Sequence, residues 1–118
     1  SSLAFFDAEQ EDRLTLLGQP DGGASITFFD QETRPRLGLA SRADGYGGFA
    51  LLDPDGVERV GIEVLEEGTR PVVRISDREK RVRAALGTLD DGAGYVATFG
   101  ETGRTTFQGP ELILGDRE

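Results

Sequence analysis

The stretch Phe49–Ile62, F-A-L-L-D-P-D-G-V-E-R-V-G-I, decides the fold. Asp53-Pro54-Asp55-Gly56 puts proline at the second position of a turn and glycine where left-handed backbone is commonly required. On either side, large apolar residues alternate with small or polar ones, the period-two pattern of a half-buried strand. The stretch therefore reads as a β-hairpin. A four-residue loop after Asp53 pairs Leu51 with Val60 and Phe49 with Ile62, so that large apolar side chains share one face; a slip of one residue would scatter them over both.

The same unit recurs along the chain. Asp7, Asp30, Asp53 and Asp77 follow short apolar runs at spacings of 23, 23 and 24 residues. Six residues after each comes an arginine (Arg13, Arg36, Arg59, Arg83), and fifteen residues after each comes a glycine preceded by an acid (Asp21-Gly22, Asp44-Gly45, Glu67-Gly68, Asp91-Gly92). Self-similarity at such a period is the mark of a repeat architecture. A fifth unit, GYVATFGETGRTTF, carries Gly100 in place of the aspartate and Thr106 in place of the arginine. Leu112-Ile113-Leu114 reads as a last strand or cap.

Each unit predicts two strands. The first are Leu3–Phe6, Ile26–Phe29, Phe49–Leu52, Val72–Ser76 and Tyr95–Phe99; the second are Arg13–Leu17, Arg36–Ala40, Arg59–Val64 and Arg83–Gly87. The hairpin register pairs Phe5 with Leu14, Phe28 with Leu37 and Ile75 with Ala84, and one pleat further out Leu3 with Leu16, Ile26 with Leu39 and Val73 with Leu86. Between units the same face continues, with Leu16 opposite Ile26 and Leu14 opposite Phe28. The left-handed position filled by Gly56 and Gly103 is held elsewhere by Gln10, Thr33 and Lys80, so those turns either avoid positive φ or accept strain.

The expected fold is all-β: one domain over residues 1–118, an antiparallel meander of about five two-stranded 23-residue repeats, with units near 1–23, 24–46, 47–69, 70–93 and 94–118. One unit cannot bury its apolar face alone, and about ten strands suffice to close a barrel with that face inside. Closure is thus the expected architecture, with a β-solenoid of stacked 23-residue coils as the alternative. The opposite face carries small residues, and the repeated arginine lies beside Phe6, Phe29, Leu52 and Ser76; the expectation is a solvated surface in which a guanidinium covers a ring, and the alternative is a face on which a second sheet or subunit docks closely, so that self-assembly would run through the small residues.

The repeat F-A-L-L-D-P-D-G-V-E-R-V-G-I resembles uncharacterised bacterial repeat proteins with units of the form apolar-x-apolar-x-D-x-x-G-x-x-R-x-x-L. That resemblance covers residues 1 to 108 and implies a structural or interaction role in a bacterial extracellular or envelope setting. The chain is less closely similar to YD repeats, whose tyrosine is replaced here by Phe6, Phe29, Leu52 and Ser76.

Composition narrows the chemistry. The chain lacks Cys, His, Met and Trp, which excludes thiol nucleophiles, Ser-His-Asp and Cys-His arrangements, His or Cys zinc sites and disulfides. A net charge of −9 opposes nucleic acid and anionic membrane partners. No apolar stretch approaches a membrane span, and no basic-then-apolar leader opens the chain.

Asp53, Asp55 and Glu58 hold a fragment of a calcium-loop spacing, yet read better as turn residues. Asp90-Asp91-Gly92 reads likewise, and Gly45-Tyr46-Gly47-Gly48 lacks the following helix of a phosphate loop. The expectation is a non-enzymatic structural or interaction module, a scaffold or self-assembling unit, without cofactor or metal. The alternative is a ligand-binding β-barrel for a glycan or small apolar compound. Candidate interaction residues are Tyr46 and Tyr95, which can stack on a sugar, and Arg13, Arg36, Arg59 and Arg83. Expected partners are a second copy, another protein or a glycan.

Overall fold

The computed structural model describes residues 1–65 and 70–109. These form one ten-stranded antiparallel sheet in strict sequence order, with no helix. The strands are β1 Ser2–Phe6, β2 Asp12–Gly18, β3 Ala24–Phe29, β4 Pro35–Ser41, β5 Gly47–Leu52, β6 Glu58–Leu65, β7 Arg70–Ser76, β8 Val82–Thr88, β9 Gly94–Phe99 and β10 Thr105–Gly109. The Leu112-Ile113-Leu114 strand and the Glu67-Gly68 turn lie outside the described residues.

The register is the one that keeps large apolar side chains together. Phe5 pairs with Leu14, Leu3 with Leu16, Phe28 with Leu37, Leu51 with Val60 and Val73 with Leu86. Between units, Leu16 pairs with Ile26 and Leu14 with Phe28. Ile26 therefore has Leu16 on one side and Leu39 on the other, a meander rather than the Ile26–Phe49 stacking of a solenoid.

The loop differs from the expected four residues. Asp7 N donates to Glu11 O (3.1 Å) and Gln10 N to Asp7 O (3.1 Å), closing a three-residue loop; the same pattern recurs at Asp30, Asp53, Asp77 and Gly100. The residue saved in the loop reappears as a β-bulge. The pairing steps from Phe5–Leu14 to Phe6–Asp12, and likewise from Phe28–Leu37 to Phe29–Pro35, Leu51–Val60 to Leu52–Glu58 and Ile75–Ala84 to Ser76–Val82. The extra residue at these steps is Arg13, Arg36, Arg59 and Arg83; in the last hairpin it is Thr106. A bulge re-aims the extra side chain, and that is the structural reason for the repeated arginine.

The left-handed position is real in every such loop. Gly56 and Gly103 have φ of 82°, while Gln10, Thr33 and Lys80 take φ of 67°, 60° and 69°. Those three units accept the strain.

Closure into a barrel does not occur: β1 and β10 lie at opposite edges of the sheet. A barrel requires strands that tilt and step progressively along their own direction. Here one row of paired residues (Leu3, Leu16, Ile26, Leu39, Phe49, Ile62, Val73, Leu86, Val96, Gly109) crosses all ten strands at the same level. The strand ends do not step, so the sheet stays open.

An open single layer has almost no interior. Among the described apolar residues, only Val57 and Ala97 are buried. The radius of gyration is 17.7 Å and the extents are 55 × 32 × 24 Å, against about 13–14 Å for a compact chain of this length.

Candidate functional site

The sheet has two unlike faces. The row just described lies on one of them, beside a second row of Phe5, Leu14, Phe28, Leu37, Leu51, Val60, Ile75, Ala84, Thr98 and Phe107. A third row on that face, toward the inter-unit turns, is Gly18, Ala24, Ser41, Gly47, Val64, Pro71, Thr88 and Gly94. No position in the three rows is charged. Of the fourteen large hydrophobics that the described residues leave exposed, ten stand on this face, among them Leu3 (54%), Ile75 (50%), Leu86 (51%) and Ile62 (44%). Apolar surface of this extent marks an interaction site more often than a free surface.

The opposite face carries Ala4, Thr15, Thr27, Gly38, Ala50, Gly61, Arg74, Ala85 and Ala97 along its centre. Over β3 to β6 it forms a shallow open groove of about 470 Å³. Ser25, Thr27, Gly38, Ala40, Gly48 and Ala50 floor it, and Arg42, Tyr46, Glu58 and Glu63 stand at its sides. Glu63 is ion-paired with Arg74. The Arg42 guanidinium lies 5.2 Å from the centre of the Tyr46 ring and bonds Asp44 at 2.5 Å.

The structure does not bring the two candidate tyrosines together. Tyr46 closes the β4–β5 turn, its carbonyl accepting from Arg42 N at 2.8 Å. Tyr95 is on β9 opposite Gly87, with its ring over that glycine, where an added Cβ would come within 3.1 Å of Cε1. Four strand spacings separate β5 from β9, about 19 Å, so the pair is not one stacking rim.

The four repeated arginines act inside the sheet. Arg13 pairs with Asp7 and donates to Asp30 O in the next hairpin (2.9 Å). Arg36 Nε donates to Leu52 O (2.8 Å) and Nη1 lies 3.5 Å from Asp30. Arg59 Nε donates to Ser76 O (2.7 Å), with Nη1 3.7 Å from Asp53. Each of these three thus ties the aspartate of its own hairpin to a backbone carbonyl of the following one. Arg83 approaches Asp77 at 3.6 Å, and its Nη1 is buried without a hydrogen-bond partner. None of the four stacks on Phe6 or Phe29; the guanidinium-over-ring contact among the described residues is that of Arg42 and Tyr46. The recurring Asp and Arg of the sequence suggest pairing within or between hairpins, and each arginine does face the aspartate of its own hairpin; the bonds to backbone carbonyls of the next hairpin are not legible there, because they need the bulge to point the guanidinium across the hairpin edge.

The repeated aspartates cap their loops. Asp7 Oδ1 accepts from Glu9 N and Glu11 N (2.9 and 3.0 Å), and Asp53 Oδ1 accepts from Asp55 N and Val57 N (3.0 Å each). Asp30 and Asp77 repeat the arrangement. In the inter-unit turns Asp21, Asp44 and Asp91 each accept from the residue two further on. Asp53 is thereby committed to its turn rather than to a calcium-loop geometry.

The carboxyl of Asp7 is held below its ordinary value chiefly by the Glu11 N–H, with help from Glu9 N–H and Arg13 against partial desolvation. For Asp30 and Asp77 desolvation is the largest single influence and pulls upward. The combined donors of Arg34 and Glu32, or Arg81 and Glu79, overcome it and leave both carboxyls low. For Asp7, Asp30 and Asp77 the shift runs downward, opposite to the upward shift that suits a general acid. No helix of the described residues is long and apolar enough to cross a membrane.

Comparison with protein-family models gives no match, and comparison with curated proteins gives none either.

Proposed function

We propose that this chain is a non-enzymatic structural and interaction module, a scaffold whose repeats present one broad recognition surface. The observation that carries this reading is the uncharged face, two residue rows across all ten strands with a third over β2 to β9, on which large apolar side chains stand half exposed. A sheet with one apolar face lowers its free energy by covering that face, at roughly 25 cal/mol per Å² removed from water. The repeated aspartates support the same reading, since Asp7, Asp30, Asp53 and Asp77 recur as turn caps with the same backbone partners.

Glycan binding in the groove beside Tyr46 is the second reading. It ranks below the first because Arg42 already occupies one face of the Tyr46 ring and Tyr95 stands on a distant strand.

Site-resolved carboxyl titration by NMR tests the module reading. The expected outcome is that Asp7, Asp30 and Asp77 titrate together below the ordinary carboxylate range. One carboxyl titrating two or more pH units above its counterparts, and moving on addition of a small substrate, overturns the reading in favour of an enzyme.

A further inference from the structure

Resting on that reading, we infer that the partner of the uncharged face is a second copy of this chain, and that two sheets pack face to face about a two-fold axis. Three observations on the free chain select this occupant. The first is area. The accessible surface is 8318 Å², whereas a compact folded monomer of 12.7 kDa exposes about 6,200 Å². A single layer leaves both of its faces open, so covering one brings the exposed area toward the compact value. Ten strands at about 4.8 Å spacing and about 20 Å long present a flat face of roughly 900 Å², and a stable interface takes about 800 Å² from each partner.

The second observation is self-complementarity. A two-fold interface sets a patch against its own copy, so any charge near the axis meets its like. The face has none, from Leu3 at one edge to Phe107 at the other. Its pattern also repeats every two strands, about 9.6 Å. Side chains that interdigitate at one repeat, such as Leu39 with a partner's hollow, therefore find the same fit at the next. Aligned sheet packing at about 10 Å separation, with strands crossing near −30°, accommodates this.

The third is where the charge sits. Of the seventeen acids among the described residues, fourteen lie in the turns along the two sheet margins, such as Asp7, Glu32, Asp55, Asp44 and Asp90, and the other three, Asp12, Glu58 and Glu63, stand on strands with their side chains on the opposite face. Those in the turns rim the face without entering it. Such a rim repels an anionic bilayer, whereas two rims facing each other across about 10 Å are screened at physiological salt, where the Debye length is about 8 Å.

The test is sedimentation equilibrium of the full chain from about 1 μM to 1 mM, with circular dichroism to check the sheet. The expected mass is twice 12.7 kDa, with association tightening as salt is raised. Leu39→Lys and Ile62→Lys each place a charge on the face, and either weakens association by at least about 100-fold. Thr15→Lys, on the small-residue face, leaves it intact. Because the chain has no cysteine, Thr98→Cys and Thr15→Cys accept single spin labels that keep the result readable even where a lysine variant unfolds. The label at residue 98 becomes shielded from a water-soluble relaxation agent as concentration rises, and the label at residue 15 stays accessible.

A 12.7 kDa species at every concentration overturns the inference, as does a dimer that survives both lysine variants or shields residue 15 instead. A monomer that binds an apolar dye on the face refutes the second copy yet leaves the interaction module standing. Only a carboxyl set apart in titration removes the module itself.

Discussion

Replacing Lys80 by glycine tests whether the repeated loop demands left-handed backbone irrespective of the residue that fills it. Lys80 sits at φ 69°, is exposed, and contributes its N–H to Asp77 O at 3.0 Å. Glycine keeps that bond and removes the Cβ conflict. Holding an L-residue in this region costs about 1–2 kcal/mol, and glycine returns about 0.5–1 kcal/mol of that through its freer unfolded chain. The net expectation is stabilisation by about 1 kcal/mol. With about 2.1 cal/mol/K of unfolding entropy per residue, 118 residues convert this to a rise in Tm of about 4 °C.

The reciprocal change is Gly56→Ala. Gly56 has φ 82° with no atom within 4 Å of an added Cβ, so its cost is backbone strain alone, about 1 kcal/mol in the opposite direction. Both variants are compared with the parent by urea unfolding followed by circular dichroism, at one fixed protein concentration because association adds to apparent stability. A Lys80→Gly protein no more stable than the parent, together with a neutral Gly56→Ala, refutes the loop geometry.

Acid dependence follows from the capped aspartates. A carboxyl held low in the folded chain stabilises it above the unfolded value of 3.8, and the gain is lost as pH falls through the lowered folded value. Asp30→Asn keeps the Oδ1 acceptor but not the charge, so its stability deficit should be constant between about pH 5 and 7 and shrink below 3.8; a deficit unchanged at pH 2.5 would show that Asp30 is not a low-titrating cap. Within the strands, Gly87→Ala and Gly38→Ala should separate sharply. A Cβ at Gly87 comes within 2.7 Å of Pro71 O, a backbone atom, whereas at Gly38 the nearest atom is Ile26 O at 3.9 Å. The first change should cost about 1–3 kcal/mol and the second less than about 0.5 kcal/mol, read from denaturant midpoints; equal effects refute the assigned register.

Much of the sheet is legible in the chain because period-two alternation constrains pairing strongly. Phe49, Leu51, Val60 and Ile62 admit one register that keeps all four on a face, and the same holds in the first, second and fourth units. The turn positions are legible too, once Gln10, Thr33 and Lys80 are aligned with Gly56, but that those three accept positive φ rather than change the turn is decided only by the structure. The bulge is not. A four-residue loop and a three-residue loop followed by an extra residue at Arg59 give identical partners for Leu51 and Phe49, so side-chain matching cannot distinguish them. What depends on the bulge is equally hidden, above all the Arg59 bond to Ser76 O across the hairpin edge.

The residue pattern by itself determined strands, turns and the division into an uncharged face and a small-residue face, because these follow from local backbone preference and the alternation of side chains along each strand. The tertiary structure alone decided that the sheet stays open. Alternation states that an apolar face needs cover and is silent on how neighbouring strands step past one another. That stepping determines whether a sheet curls onto itself, and here the paired rows cross every strand at one level. The apolar face expected to line a barrel therefore stands outward, with large side chains such as Leu3, Ile75 and Leu86 half exposed.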